Sequence, residues 1–254
     1  MSGNRAAALR TDDVAVWYRG VRAVDGVTLA VPRGQVRAII GPNGAGKTTL
    51  FNAVSGFVPK TRGRVLLAAA DVSRDSAHRL VQRGMARAFQ VPSIFPRLTV
   101  LDNVRLGSLL RTGRTPSMLR QHQRDAVTAR EAGEVLARVG LDGRAGTVAG
   151  VLSHGDAKRL DLAIALATRP TVLLLDEPTA GMSEPETRRT VKLMRELSGD
   201  FTLVFTEHDM RVVFSIAEQI TVLHQGRVIA DGLPGEVSRD PAVRSAYLGE
   251  EPVA

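Results

Sequence analysis

The segment Gly41–Thr48, GPNGAGKT, is the feature of this sequence that most restricts its fold. It follows an apolar run of strand length, QVRAII, and precedes a helix-like stretch, TLFNAV. Glycines let such a loop curl so that successive backbone N–H groups point at one anion, and the following helix adds the positive end of its dipole. A glycine-rich turn without a ligand is the alternative, but the strand–loop–helix context favours a phosphate-binding loop, or P-loop.

The side chains at the end of the loop add the chemistry that a bound triphosphate needs. Lys47 can reach the β- and γ-phosphates, and the Thr48 hydroxyl can ligate Mg²⁺. The predicted phosphate contacts are Gly41, Pro42, Asn43, Gly44, Ala45, Gly46, Lys47, Thr48 and Thr49.

A second motif, TVLLLDEP, places two carboxylates directly after an entirely apolar strand. Ligands of open α/β sheets bind at the carboxyl ends of the strands, so Asp176 is a predicted Mg²⁺ ligand. Glu177 is one residue further and points the other way, toward an attacking water, so it is the predicted general base. The alternative is an Asp-Glu pair that only caps the next helix.

Short apolar strands alternate with helix-like segments along the chain, which indicates an α/β fold. The stretch from about Gln90 to Arg169 is nearly all helical and has strands on both sides, so we expect a helical insert in a nucleotide-binding core. Thr99 and Ser183 precede helices with an acidic residue three positions on, which is a capping pattern. The predicted strands are DVAVWY, GVTLAV, QVRAII, MARAFQ, 171–176, FTLVFTE and ITVLH, and the main predicted helices are 116–139, 155–167, 184–198 and MRVVFSIA.

The composition excludes several classes of site and partner. With no Cys, the chain has no disulfides, thiolate metal sites or thiol nucleophiles. Its net charge is +8, but the basic residues are scattered, and 4% aromatic residues provide no stacking platform, so no nucleic-acid partner is expected. The N-terminus lacks the apolar core of a signal peptide. A cytoplasmic location is therefore predicted.

Six motifs appear in an order and spacing that resemble the ATPase subunits of ABC transporters. They are GPNGAGKTT, RAFQ, LSHGD, LLLDEP, AGMS and TEHDM, and the resemblance covers nearly the whole chain. It implies an ATPase of one domain, residues 1–254. A RecA-like core would cover about 1–90 and 170–235, with a helical subdomain at about 91–169 and a tail at 236–254. The implied sheet is mixed, with a parallel core and antiparallel N-terminal strands.

The resemblance also implies that two ATPase subunits, identical or different, pack head to tail around ATP. Ser153 and Gly155, in the signature turn LSHGD, would then contact the γ-phosphate held by the partner. Gln90 would sense Mg²⁺ and water, and His208 would contact the γ-phosphate. Tyr18 would stack on adenine, with Trp17 as the competing aromatic residue.

Two motifs depart from the family pattern. The usual signature turn is Leu-Ser-Gly-Gly-Gln, so His154 and Asp156 are unusual, and a carboxylate near phosphate is repulsive unless it points away. The segment AGMS replaces the commoner Ser-Ala-Leu-Asp, so a carboxylate that often helps to link the two ATP sites is missing.

Within the family, RAFQ, the helical insert, TEHDM and the C-terminal AYLGE resemble the longer ATPase subunit of branched-chain amino acid importers. LSHGD and AGM also recur in related urea importers. This implies transmembrane permease subunits, an external solute-binding protein and a position on the inner face of the membrane. The alternatives are transport of another small solute such as urea or amides, and a non-transport ABC ATPase. A catalytically dead scaffold is disfavoured because Lys47, Asp176, Glu177 and His208 are all present.

Overall fold

The computed structural model describes residues 6–88, 90–112 and 126–248. Ten strands and nine α-helices are defined within these ranges. The strands are β1 Ala7–Tyr18, β2 Val21–Pro32, β3 Val36–Ile40, β4 Arg62–Leu67, β5 Ala70–Asp71, β6 Met85–Ala88, β7 Val172–Asp176, β8 Thr202–Thr206, β9 Gln219–His224 and β10 Arg227–Gly232. The helices are α1 Lys47–Val54, α2 Ala77–Gln82, α3 Val100–Thr112, α4 Ala126–Arg138, α5 His154–Ala167, α6 Glu184–Leu197, α7 Met210–Ile216, α8 Pro234–Val237 and α9 Pro241–Leu248.

A six-stranded sheet forms the centre of the molecule, in the order β10-β9-β3-β8-β7-β6. The five strands from β9 to β6 are parallel, and only β10 runs antiparallel to its neighbour. In a parallel sheet all carboxyl ends meet at one edge. The ends of β3, β8, β7 and β6 therefore lie side by side.

The central strands are apolar throughout because both faces of this sheet are covered. Along β7, Leu173 and Leu175 face one core and Leu174 faces the other. The same alternation occurs in β8, where Phe205 and Val204 enter different cores. A side-chain period of two in a sheet buried on both sides explains why the motif TVLLLDEP contains no polar residue before its aspartate.

A second sheet of four antiparallel strands, in the order β2-β1-β4-β5, packs over α1. Leu50 and Phe51 of α1 are buried between this sheet and the apolar side chains of Ile39 and Leu174. Helix α1 therefore sits between the two sheets, and the P-loop that precedes it is fixed from both sides.

Helices α3, α4 and α5 lie between β6 and β7 in the chain, together with two 3₁₀ turns, Asp142–Arg144 and Ala149–Val151. Their buried residues, such as Leu136 and Leu160, join the same core as the strands of the large sheet. The backbone N–H of Asp102 donates to the Thr99 hydroxyl at 3.0 Å, as the capping pattern predicts. Glu186 likewise accepts from the backbone N–H of Ser183 at 2.9 Å.

The structure confirms the mixed α/β fold and lengthens or adds several elements. Strand β1 begins six residues before DVAVWY, because Leu9 and Thr11 are buried and the Thr11 hydroxyl is satisfied by Val27 and Leu29. The sequence patterns gave no strand at β4, β5 or β10 and no helix at α2, α8 or α9, which carry exposed polar residues or are very short. The helix predicted at 116–139 is observed over Ala126–Arg138, and its first part lies outside the described residues.

Within the ranges that the structure describes, no helix has both the length and the apolar character needed to cross a membrane.

Gly107 in α3 lies against the backbone of α5. A Cβ at this position would lie 2.4 Å from the Ile164 carbonyl oxygen, whereas a Cβ at Gly133 in α4 would meet no atom within 4 Å. We expect Gly107→Ala to lower the free energy of unfolding by about 1–3 kcal/mol through overpacking. The matched variant Gly133→Ala should raise it by up to about 1 kcal/mol, because alanine is the better helix former. Urea denaturation measures both, and equal effects would contradict the proposed packing.

Candidate nucleotide-binding site

The predicted chemical groups meet at the carboxyl edge of the large sheet. The P-loop follows β3, His208 follows β8, Asp176 ends β7 with Glu177 next, and Gln90 follows β6. The register pairs Asp176 with Thr206 across β7 and β8. Neighbouring parallel strands therefore deliver four separate sequence motifs to one place.

A cavity of about 200 Å³ opens at this edge. It is lined by residues 43–49 of the P-loop together with Ala23, Glu177 and His208. Since the loop backbone and the beginning of α1 face the cavity, an anion placed there meets N–H groups and the positive end of the helix dipole. Gly41 and Pro42 are not among the lining residues.

Two glycines of the loop are required by close backbone contacts. A Cβ on Gly41 would lie 2.1 Å from the Leu223 carbonyl oxygen, and one on Gly46 would lie 2.3 Å from that of Ala23. Gly46 also has a φ of 102°, in the left-handed region that other residues rarely adopt. The P-loop is thus held tightly against β2 and β9.

The Lys47 ammonium lies across its own loop. Its Nζ donates to the carbonyl oxygens of Gly41 at 2.5 Å and Pro42 at 2.9 Å. The side chain is buried. A cation fixed by the loop that would surround the phosphates is pre-organised for negative charge.

Asp176 is buried and accepts hydrogen bonds through both carboxylate oxygens. Thr206 donates its hydroxyl to Oδ1 at 2.8 Å, and Arg87 donates Nη2 to Oδ2 at 2.6 Å. Asp176 is not among the residues that line the cavity, whereas Glu177 is. Each carboxylate oxygen has a second lone pair, so these bonds leave acceptor capacity for a metal-bound water.

Glu177 is held by two of the predicted site residues. Its Oε1 contacts Nε2 of His208, and its Oε2 accepts from Nε2 of Gln90 at 2.5 Å. Its φ is 48°, a left-handed backbone conformation that is strained for any residue other than glycine. The surrounding contacts stabilise this conformation here. The backbone N–H donates to the Thr206 hydroxyl at 3.1 Å. The structure therefore brings Gln90, Glu177 and His208 together, and their roles toward a nucleotide and Mg²⁺ stay predictions.

The two candidate aromatic residues differ in their surroundings. The Trp17 ring is covered by guanidinium groups, with Arg22 at 5.0 Å and Arg62 at 5.8 Å from its centroid. Tyr18 is half exposed and points to the opposite face of β1. Neither ring lines the cavity, so the adenine contact of Tyr18 stays a prediction.

The signature turn begins α5 and stands apart from the P-loop of the same chain. Ser153 is the N-cap and accepts from the Asp156 N–H at 3.2 Å. Ser153 and Gly155 are not lining residues of the cavity. Ser153 therefore caps α5 within one chain, and the residue is exposed.

The unusual carboxylate of Asp156 points away from the exposed turn. It forms ion pairs with Arg159 and, at 3.4 Å, with Arg144, and it is buried. His154 is exposed and its ring lies beside Gly181 of the AGMS segment. The charge of Asp156 is therefore neutralised inside its own chain, and the departure from the family turn adds no free carboxylate at its surface.

Sequence reasoning missed two buried charged residues that shape the loop after Glu177. Lys158 in α5 donates to the carbonyl oxygens of Glu177 at 3.1 Å and Ala180 at 2.7 Å. Burial lowers the pKa of Lys158, and the charges of Glu207 and Glu177 oppose this shift. Glu207 accepts from the Thr179 N–H at 2.8 Å. The only sequence signal was a lysine at a core-facing helical position, five residues after the signature serine.

A model of the ABC transporter family matches residues 24–180, more than half of the chain. The chain belongs to the ABC transporter family. A second model, of the branched-chain amino acid ATP-binding cassette transporter, matches residues 227–253. This family membership confirms the predicted P-loop fold and ATP hydrolysis as the activity.

Two relatives of this ABC ATPase are named for different transport systems. This chain is 36% identical over 252 residues to the high-affinity branched-chain amino acid transport ATP-binding protein BraF of Pseudomonas aeruginosa. The match covers 95% of this chain and 98% of BraF. The chain is 34% identical over 248 residues to the lipopolysaccharide export system ATP-binding protein LptB of Escherichia coli, with coverage of 96% and 98%.

Solved structures of ABC cassettes have the same fold. A nucleotide-free ATP-binding cassette from an ABC transporter superposes with a TM-score of 0.85 at 30% identity, covering 96% of this chain and all of that one. A dimeric bacterial ABC transporter cassette superposes with a TM-score of 0.76 at 25% identity, covering 89% and 98%.

The buried ammonium of Lys158 yields a testable prediction. Lys158→Met leaves the carbonyl groups of Glu177 and Ala180 without their donor, so we expect the free energy of unfolding to fall by about 1–3 kcal/mol. The exposed Lys192 of α6 offers a control, and Lys192→Met should leave stability within about 0.5 kcal/mol of the parent. Both are measured by urea denaturation. Equal stabilities would show that the two carbonyl contacts contribute nothing.

Proposed function

We propose that this ABC ATPase powers the uptake of branched-chain or related hydrophobic amino acids through separate membrane subunits. The observation that supports its chemistry is the contact of Glu177 with both His208 and Gln90 at the P-loop cavity. In this arrangement Glu177 accepts a proton from the attacking water, which Gln90 and His208 help to orient against the γ-phosphate. The P-loop amides and Lys47 stabilise the charge that develops on the phosphates.

The metal proposed for this site is Mg²⁺, held with ATP. The donors offered by Thr48, Gln90 and Asp176 are oxygens, the ligands that Mg²⁺ prefers, and the ion retains several waters. Thr48 lines the cavity, whereas Asp176 does not. Thr48 therefore suits direct ligation, and Asp176 suits a contact through metal-bound water. When bound, the metal would neutralise charge on the β- and γ-phosphates.

The proposed ATP site is completed by a second ATPase subunit. Ser153 is exposed at the beginning of α5, outside the cavity of its own chain. In a head-to-tail pair, Ser153 and Gly155 would approach the γ-phosphate on the partner, where a hydroxyl and a helix N-terminus favour an anion. The likeness to a dimeric ABC cassette supports this assembly.

The proposed contact with the permease subunits is an apolar groove beside the segment that follows Gln90. The groove has a volume of about 330 Å³, and its apolar lining includes Phe57, Phe95, Leu106 and Leu110. Phe57 and Phe95 are more than half exposed, a character typical of protein contact sites. Permease binding here would place the protein on the inner face of the membrane, and an external solute-binding protein would deliver the solute.

The solute assignment is supported by likeness along the chain. The BraF relative and the model matched at residues 227–253 both carry the branched-chain amino acid description. Lipopolysaccharide export is a second candidate because LptB is nearly as similar. Urea or amide uptake remains the small-solute alternative that the LSHGD and AGM motifs favour.

Glu177→Gln tests the chemistry and the solute together. The amide cannot accept the proton of water, so we expect kcat for ATP hydrolysis to fall by about 10²–10³. ATP binding should remain within about twofold of the parent, because the P-loop contacts persist. In vesicles with the co-encoded permeases and binding protein, the parent should drive leucine uptake and the variant should not.

A matched control is Glu196→Gln, an exposed carboxylate on α6, which should behave like the parent. Unchanged phosphate release by Glu177→Gln would remove this residue from its proposed role. Transport of urea, or extraction of lipopolysaccharide, in place of leucine uptake would overturn the solute assignment alone.

The head-to-tail assembly predicts crossed behaviour of two variants. Lys47→Ala damages the P-loop of its own chain, whereas Ser153→Ala damages the site on the partner. A dimer that combines one subunit of each type then concentrates both defects in one ATP site and leaves the other intact. We expect it to retain about half of the parent ATPase rate, well above either pure variant. Activity no higher than that of the pure variants would contradict the crossed arrangement.

A further inference from the structure

Arg87, the first residue of the RAFQ motif, lies in β6 and contacts both β7 and α1. Its side chain is buried, with 5% of its surface exposed. Nη2 donates to Oδ2 of Asp176 at 2.6 Å, while Nη1 donates to the Asn52 side-chain oxygen at 2.7 Å and to the Ser55 hydroxyl at 3.0 Å. Asp176 ends β7, and Asn52 and Ser55 belong to α1 and its C-cap. One guanidinium therefore joins the P-loop helix to the acidic strand.

The contact on α1 lies on the side of the helix that carries Thr48. Asn52 follows Thr48 by four residues, so the two side chains project from the same face, one turn apart. Thr48 and Asp176 are the two proposed protein contacts of Mg²⁺ on these two elements. By holding Asn52 with one nitrogen and Asp176 with the other, Arg87 fixes the separation between the elements that carry them.

The planar fork of arginine is what makes this connection possible. A guanidinium offers five donors in fixed directions, whereas a lysine ammonium is a single point charge on a flexible stem. The Arg87 guanidinium is also 5.7 Å from the ring centroids of Phe51 and Phe57, which limits its movement. A lysine at this position can keep the ion pair with Asp176 or the bonds to α1, but it cannot hold both.

We propose that Arg87 is a positioning residue that sets the orientation of Asp176 relative to Thr48 and so tunes the affinity of the site for Mg²⁺. This rests on the proposed function, in which Mg²⁺ accompanies ATP. Arg87 does not line the proposed nucleotide cavity, so it acts through Asp176. It also lines the apolar groove proposed for the permeases, so the connection runs from that groove to the metal-binding carboxylate.

The chain contains a second buried arginine that separates this role from simple stabilisation. Arg37 in β3 donates to Asp231 at 2.5 Å and to Thr221 at 2.8 Å, and Thr221 donates to the same Asp231 oxygen. Arg, Asp and Thr residues are also grouped around Asp176, where Arg87 and Thr206 donate to different carboxylate oxygens. Arg37 lies in the opposite half of the strand from the P-loop, away from the cavity residues.

The test is a Mg²⁺ titration of the binding of a fluorescent ATP analogue, with EDTA as the metal-free baseline, for Arg87→Lys and Arg37→Lys. We expect Arg87→Lys to raise the Mg²⁺ concentration for half-maximal enhancement about tenfold, the effect of losing one charge-assisted hydrogen bond. Metal-free affinity should stay within about twofold. Arg37→Lys should have the same Mg²⁺ midpoint as the parent, even where its thermal stability falls as much as that of Arg87→Lys.

A second variant, Asn52→Ala, removes one acceptor on α1 and keeps the buried ion pair. It should shift the Mg²⁺ midpoint in the same direction by a few-fold, and the double variant should shift no further than Arg87→Lys, because both changes break one connection. Parental titrations for both single variants, or equal shifts for Arg87→Lys and Arg37→Lys, would overturn the proposed role. Absence of any Mg²⁺ effect in the parent would instead overturn the proposed function on which it rests.

Discussion

Parallel register in the large sheet is the constraint on which the site depends. Because β3, β8, β7 and β6 are neighbours and run in the same direction, the residues that follow them must converge at one edge. The P-loop, His208, the Asp176–Glu177 pair and Gln90 come from positions far apart in the sequence. A slip of one residue in any of these strands would turn its side chains to the opposite face and dismantle the arrangement.

Charge at this edge is organised by the chain before a nucleotide arrives. Asp176 is paired with Arg87, and Glu177 contacts His208; away from this edge, at the beginning of α5, Asp156 is neutralised by Arg144 and Arg159. Fixed partners keep these carboxylates in place, so little reorganisation is required when a triphosphate binds. The same pairing explains how a net charge of +8 coexists with a site that contains several acidic groups.

Local patterns predicted the elements that carry chemistry better than those that surround them. The strand before Asp176 and the loop before α1 were evident, since unbroken apolar runs and clustered glycines have few other uses. Strand β4 was not predicted because Arg62 and Arg64 obscure its alternation of buried and exposed residues. The hydrogen bonds of Lys158 and Arg87 join elements that are far apart in the sequence. The periodicity of apolar residues along the chain does not reveal such contacts. The direction of the Asp156 side chain was likewise decided by arginines on other turns.

The left-handed backbone of Glu177 has an evolutionary consequence. Glycine or asparagine would occupy this conformation with less strain, and either would discard the carboxylate. Substitutions that relieve the backbone strain at this position would therefore abolish ATP hydrolysis. In a lineage that no longer hydrolyses ATP, selection would no longer maintain a glutamate at this position. A small or amide side chain there would therefore identify an inactive subunit more clearly than changes in the signature turn.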